Sequence, residues 1–157
     1  MKALVLYDSV FGNTEKVART IHEELQNVGQ SNLKNADTFR VSDLNQMDLL
    51  VVGSPTRAFT MTPKMKTLLK GLPKEKLTGI RYLAFDSRAN LEQVNNKFLT
   101  FMVGRFGYAA EKISKILEKK GSKKAGDFEA FYVKESEGPL MDGELEKAKR
   151  WIKRSVS

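Results

Sequence analysis

Two stretches of this chain, Ala3-Leu4-Val5-Leu6-Tyr7 and Leu49-Leu50-Val51-Val52, are apolar at every position. A half-exposed strand alternates apolar and polar residues, so an unbroken apolar run of this length belongs to a strand covered on both faces. Helical periodicity follows each run. Val17, Ile21, Leu25 and Val28 recur at helical spacing before Gly29, and Met65, Leu68, Leu69 and Leu72 mark a second helix that starts near Pro63, where proline suits a first turn. Ile80 to Phe85 and Phe128 to Val133 read as further strands, with a weaker one at Thr38-Phe39-Arg40-Val41. Leu91, Val94, Phe98, Met102 and Phe106 fall at helical spacing, as do Ile113, Ile116 and Leu117 before Gly121, and Leu145, Ala148 and Ile152. Strands alternating with helices imply one α/β domain over residues 1–157, a parallel sheet with helices on both faces.

Composition narrows the chemistry. The chain has no cysteine, which excludes disulfides, iron–sulfur clusters and cysteine nucleophiles, and its one histidine, His22, excludes a two-histidine metal site. We expect no metal and no catalytic side chain. No apolar run approaches the roughly 18 residues a bilayer span needs, and the start enters a strand at once without a cleavable signal pattern, so the expected location is the cytoplasm. Twenty-seven Lys+Arg against nineteen Asp+Glu give a net charge of +8. Such a balance favours anionic partners without choosing among them. The lysine cluster at 119–124 reads as a solvated helix end rather than a specific nucleic-acid site.

In an open parallel sheet, ligands bind beyond the carboxyl ends of the strands. Three loops there carry polar residues: Asp8 to Thr14, Ser54 to Thr60, and Asp86 to Asn90. In the first, backbone N–H groups at the start of a helix face outward unpaired, and Gly12 lets the chain turn closely round an anion. Asn13 or Thr14 could equally do no more than cap the helix. The segment matches neither the Gly-x-x-x-x-Gly-Lys-Ser/Thr nor the Gly-x-Gly-x-x-Gly pattern.

Tyr7-Asp8-Ser9-Val10-Phe11-Gly12-Asn13-Thr14 resembles the FMN phosphate loop of flavodoxins, usually Ser/Thr-x-Thr-Gly-Asn-Thr. Val52-Gly53-Ser54-Pro55-Thr56-Arg57 with Met61-x-Pro63-x-Met65 is similar to the flavin-ring loop of flavodoxin-fold proteins, and Glu137-Gly138-Pro139-Leu140 to an archaeal and anaerobe subgroup. The resemblance implies a three-layer, doubly wound fold with a five-stranded parallel sheet in the order 2-1-3-4-5. It implies FMN as cofactor, its phosphate held by Ser9, Val10, Phe11, Gly12, Asn13 and Thr14. Pro55, Thr56, Arg57, Ala58, Phe59 and Thr60 would line one side of the flavin ring, and Asp86, Ser87 and Arg88 the other. Phe11 stands where the family usually has threonine. No glycine lies between Ser54 and Met61, where relatives place one, so left-handed backbone at Ala58 or Phe59 should be penalised and a peptide beside the ring should resist turning.

The function so implied is that of a one-domain FMN electron carrier, monomeric or weakly dimeric; the chain's basic balance, unlike that of familiar flavodoxins, implies redox partners that present acidic faces. Two alternatives stand beside it: an FMN-dependent NAD(P)H:quinone oxidoreductase, and a flavodoxin-fold binding module that has lost flavin. The apolar residues of 91–106 are expected to pack on the sheet, with an aromatic lid as the other reading.

Overall fold

The structure, a computed structural model, describes residues 1–90 and 97–157. The elements run β1 (Lys2–Tyr7), α1 (Asn13–Gln26), β2 (Gln30–Asn35), a 3-10 turn at Val41–Leu44, β3 (Leu49–Pro55), α2 (Pro63–Lys70), α3 (Lys74–Leu77), β4 (Arg81–Ala89), α4 (Lys97–Phe106), α5 (Ala109–Lys119), β5 (Lys123–Lys124), β6 (Glu129–Val133) and α6 (Glu144–Val156). All pairings between these strands are parallel, in the order β2-β1-β3-β4-β5, with β6 also on β4. The expected order 2-1-3-4-5 is present, and its fifth position is split. β5 pairs with Arg81 and Tyr82, and β6 with Phe85 to Ala89 along the same edge of β4.

The pleat sends alternate strand residues to opposite faces. Leu4, Leu6, Leu50, Val52, Tyr82 and Ala84 pack with Met65, Leu69, Leu77, Ala109, Ile113 and Leu117, placing α2, α3 and α5 on one face. Ala3, Val5, Leu49, Val51, Leu83 and Phe85 pack with Val17, Ile21, Leu25, Ala148 and Trp151, placing α1 and α6 on the other. There Phe85, Phe131 and Trp151 meet edge to face, with centroids 5.8–6.2 Å apart. The Phe85 ring lies over the backbone of its cross-strand neighbour Gly53, where no side chain fits.

Three expectations need correction. The second strand is Gln30–Asn35, not Thr38–Val41. It pairs only with β1 and stays partly exposed, so burial leaves no apolar signature in Gln-Ser-Asn-Leu-Lys-Asn. The strand expected to end at Phe85 continues to Ala89, so Asp86 to Ala89 is sheet rather than loop. Its polar residues are tolerated because Asp86 and Arg88, two apart and so on one side, neutralise each other. In α4, Phe98 and Phe101 are 66% and 63% exposed rather than packed on the sheet. Residues 91–96 of that expected helix lie outside the described residues.

A β-carbon at Gly53 would sit 2.0 Å from the Phe85 ring. Gly53→Ala is therefore expected to lower stability by about 1–3 kcal/mol. In α4, where a β-carbon on Gly104 meets nothing within 4 Å, Gly104→Ala should be neutral or stabilising. Urea unfolding of the two variants checks the contrast.

Candidate functional site

A cleft of about 420 Å³ opens at the carboxyl ends of β1, β3, β4 and β6. Its floor is the start of α1. Gly12 takes φ +92° there, with open space where a β-carbon would be, so conformation rather than room calls for glycine. The Ser9 hydroxyl oxygen accepts from the N–H groups of Gly12 (3.1 Å) and Glu15 (3.3 Å). Both lone pairs are then engaged and the Ser9 proton is left to donate. The backbone N–H groups of Val10, Phe11, Asn13 and Thr14 have no hydrogen-bond partner among the described residues. Thr14 Oγ1 lies 2.8 Å from Ser87 Oγ, joining α1 to β4. One hydroxyl proton holds that bond and the other remains for a ligand. Orphan amides, spare hydroxyl protons and a helix N-terminus form a donor set suited to a phosphate monoester.

Side chains tie the walls together. Asp8 accepts from Ser9 N–H and, at 2.5 Å, from the Thr62 hydroxyl, linking the first loop to the start of α2. Asn13 donates its amide to the Glu137 carbonyl (3.1 Å), fastening residues 134–139 over the floor. A β-carbon on Gly138 would meet that Asn13 amide at 2.5 Å, and its φ of +104° also favours glycine.

The other wall is a tight turn. Arg57 and Thr60 exchange both backbone hydrogen bonds, at 2.8 and 3.1 Å, and the residues between them, Ala58 and Phe59, have φ of +48° and +68°. Two central residues with positive φ are the signature of a type I′ turn, normally the preserve of Asn and Gly. Both residues thus adopt the left-handed backbone that was expected to be penalised in a glycine-free loop. The Arg57–Thr60 bonds and a 2.6 Å bond from Lys112 Nζ on α5 to the Phe59 carbonyl hold the conformation, so any steric penalty is already built into the fold. Across the cleft mouth, the Arg57 guanidinium lies 5.4 Å from the centroid of the Phe11 ring, itself 47% exposed.

Of the expected cofactor residues, Val10, Phe11, Asn13, Thr14, Pro55, Thr56, Arg57, Ala58, Ser87 and Arg88 line the cleft. Ser9 and Gly12 shape its floor from behind, and Phe59 and Thr60 complete the turn. Asp86 is set apart: fully buried, it binds Arg88 through both oxygens at 2.7 Å and accepts the Ala110 N–H at 3.0 Å. Thr56 accepts the Ala109 N–H at 3.0 Å, so the two side chains cap α5. Burial opposes the Arg88 charge, yet the Asp86 carboxylate outweighs it and holds the guanidinium above its usual pKa; the group also lies 3.4 Å over the Tyr108 ring. His22 does not line the cleft. It meets Ser31 at 2.7 Å, and burial lowers its pKa.

Ala89, from the expected Asp86 to Asn90 segment, also lines the cleft, whereas Val133, Ser136 and Glu137 line it and were not expected there. Glu137-Gly138-Pro139-Leu140 carried only a subgroup resemblance, and nothing local says that this segment folds back onto Asn13. Among the described residues no group of acidic or histidine side chains could hold a metal ion, and no helix is long and apolar enough to cross a membrane.

Fold and cleft together define a parallel α/β protein with a donor-rich cleft at a helix start beside a tight-turn wall. A family model described as a flavodoxin domain matches residues 4–137, and the chain belongs to that family. No curated protein matches the sequence. Among solved structures, it is similar to a flavodoxin from the domain Archaea (18% identity, TM-score 0.75, 99% of this chain and 96% of that one). It is also similar to oxidised flavodoxin 2 of Bacillus cereus (17%, 0.74, 99% and 98%). The rubredoxin oxygen:oxidoreductase of Desulfovibrio gigas matches over 37% of its own length (20%, 0.70, 99% of this chain).

Ala58→Gly relieves one left-handed residue and is expected to raise stability by up to about 1 kcal/mol, while Lys112→Met removes the bond to the turn and should lower it by roughly 0.5–1.5 kcal/mol. Thermal unfolding of the two variants measures both. An Ala58→Gly protein less stable than the parent would contradict the strained turn.

Proposed function

We propose that this chain is a one-domain, cytoplasmic FMN-binding electron carrier, monomeric or weakly dimeric, that exchanges electrons with partner proteins presenting acidic faces. The observation that carries the reading is the set of orphan amides and spare hydroxyl protons at the start of α1, in a cleft closed on one side by the 57–60 turn. FMN, when bound, supplies one- and two-electron redox chemistry. The protein's part is to bind and orient it. Amides of Val10, Phe11, Asn13 and Thr14 and hydroxyls of Ser9 and the Thr14–Ser87 pair would hold the phosphate. Pro55 to Ala58 would wall the ring on one side, with Ser87 and Arg88 on the other. The Arg88 guanidinium, gripped by both Asp86 oxygens, would present a fixed group to whatever lies beside it, its charge offset by that carboxylate. No side chain is assigned a catalytic role, and no specific nucleic acid is assigned as a partner.

Thr14→Val removes one hydroxyl from the proposed phosphate seat, a loss of about 1.5–3 kcal/mol for a bond to a charged group. Binding of FMN, followed by flavin fluorescence quenching, should weaken roughly ten- to a hundredfold, with riboflavin little changed. Equal losses for both ligands would place the phosphate elsewhere, and a protein that binds neither would leave the fold as a flavin-free binding module.

A further inference from the structure

The excess positive charge is not spread evenly. Helices α2, α3 and α5, which share one face of the sheet, carry eight lysines against three glutamates. Helices α1 and α6, on the opposite face, carry seven Lys and Arg against five glutamates. Pairing sharpens the contrast. Four of the five α6 cations sit in ion pairs: Lys147 with Glu144, Lys149 with Glu146, Lys153 with Glu24 and Arg154 with Glu129. On the α2–α3–α5 face, Lys64 alone of the eight lysines forms an ion pair among the described residues, with Asp37 at 2.8 Å.

Lys66, Lys70, Lys74, Lys115 and Lys119 are exposed and lack an ion-pair partner among the described residues. Where α2 and α5 end, Lys70, Lys74, Lys119 and Lys120 line a groove of about 560 Å³ floored by Ile116. Lys120 is fixed there by bonds to the Lys70 and Leu72 carbonyls. At the other end the face reaches the cleft, because Lys112 holds the Phe59 carbonyl of the cleft-walling turn. Burial and the nearby Lys66 and Lys115 charges lower the Lys112 pKa, as like-charge crowding along this face requires.

We infer that the α2–α3–α5 face is the docking surface for the acidic face of a redox partner protein, the orientation that brings the partner's edge against the 57–60 rim of the cleft. This rests on the electron-carrier reading for the partner's role, while the sidedness rests on the charges alone. Unpaired lysines steer and hold an acidic surface because their charge is not already neutralised. Nucleic acid fits the face less well. Its helices carry no aromatic residue on which a base could stack and no arginine to read a base edge.

The test compares two charge reversals of equal size, each an i, i+4 pair of exposed residues: Lys66→Glu with Lys70→Glu on α2, and Arg150→Glu with Arg154→Glu on α6. Calorimetric titration with poly-L-glutamate at fixed ionic strength should show about a tenfold or greater loss for the α2 pair and less than about threefold for the α6 pair. The milder Lys115→Gln with Lys119→Gln variant, which guards against misfolding, should move in the same direction as the α2 pair. Equal losses on both faces would reduce the effect to net charge and overturn the inference. Tighter binding of duplex DNA than of poly-L-glutamate, lost on the α2 pair, would assign the face to nucleic acid instead. Parallel FMN titrations keep the two claims apart. Absence of FMN binding by the parent protein would end the carrier reading and leave the sidedness result standing.

Discussion

The first turn of α1 exposes backbone N–H groups that the helix cannot satisfy from within, and much of the surrounding structure serves to keep them oriented and unpaired. Gly12 turns the chain into the helix in a left-handed conformation, and Ser9 takes up the Gly12 and Glu15 amides, leaving those of the cleft-lining Val10, Phe11, Asn13 and Thr14 without a partner among the described residues. An anion placed there gains charge-assisted bonds and the helix dipole together. The rest of the cleft is anchored to this turn. Asp8 reaches across to Thr62, Thr14 to Ser87, and Asn13 to the Glu137 carbonyl, so the start of α2, the end of β4 and the 134–139 segment are all tied to this one turn.

The wall built from residues 57–60 shows how tertiary bonds override local preference. Ala58 and Phe59 both stand in a region that β-carbons disfavour by about 1–2 kcal/mol per residue. Two backbone bonds across the turn and the Lys112 bond from α5 offset that penalty. A turn held this way is a fixed surface of the cleft, and Lys112 makes it answerable to the position of α5. The capping of α5 by Thr56 and Asp86 closes the loop of dependence, since both side chains come from strand ends beside the cleft.

Much of this was legible in the sequence, and what was not has identifiable causes. The apolar runs of β1 and β3 and the periodicity of α1 announce a covered sheet because burial on both faces leaves no other pattern. β2 carries no such pattern because it is an edge strand bonded on one side. The polar end of β4 reads as loop because the compensation between Asp86 and Arg88 exists only once the pleat puts them on one side. The positive φ at Ala58 and Phe59 was argued against from residue type, and the deciding partner, Lys112, lies far along the chain. The phosphate-loop residues were legible, whereas the wall formed by Val133, Ser136 and Glu137 depends on a loop folding back onto Asn13.

The central claim is that the orphan amides of α1 receive the phosphate of FMN. An amide nitrogen–proton NMR spectrum of the ¹⁵N-labelled apoprotein, titrated first with FMN and then separately with riboflavin, reads each of those groups directly. The account predicts that the Asn13 and Thr14 amide signals shift strongly with FMN and little with riboflavin, while residues 57–60 respond to both. Equal responses of Asn13 and Thr14 to the two ligands, or FMN shifts confined to another part of the molecule, would contradict it.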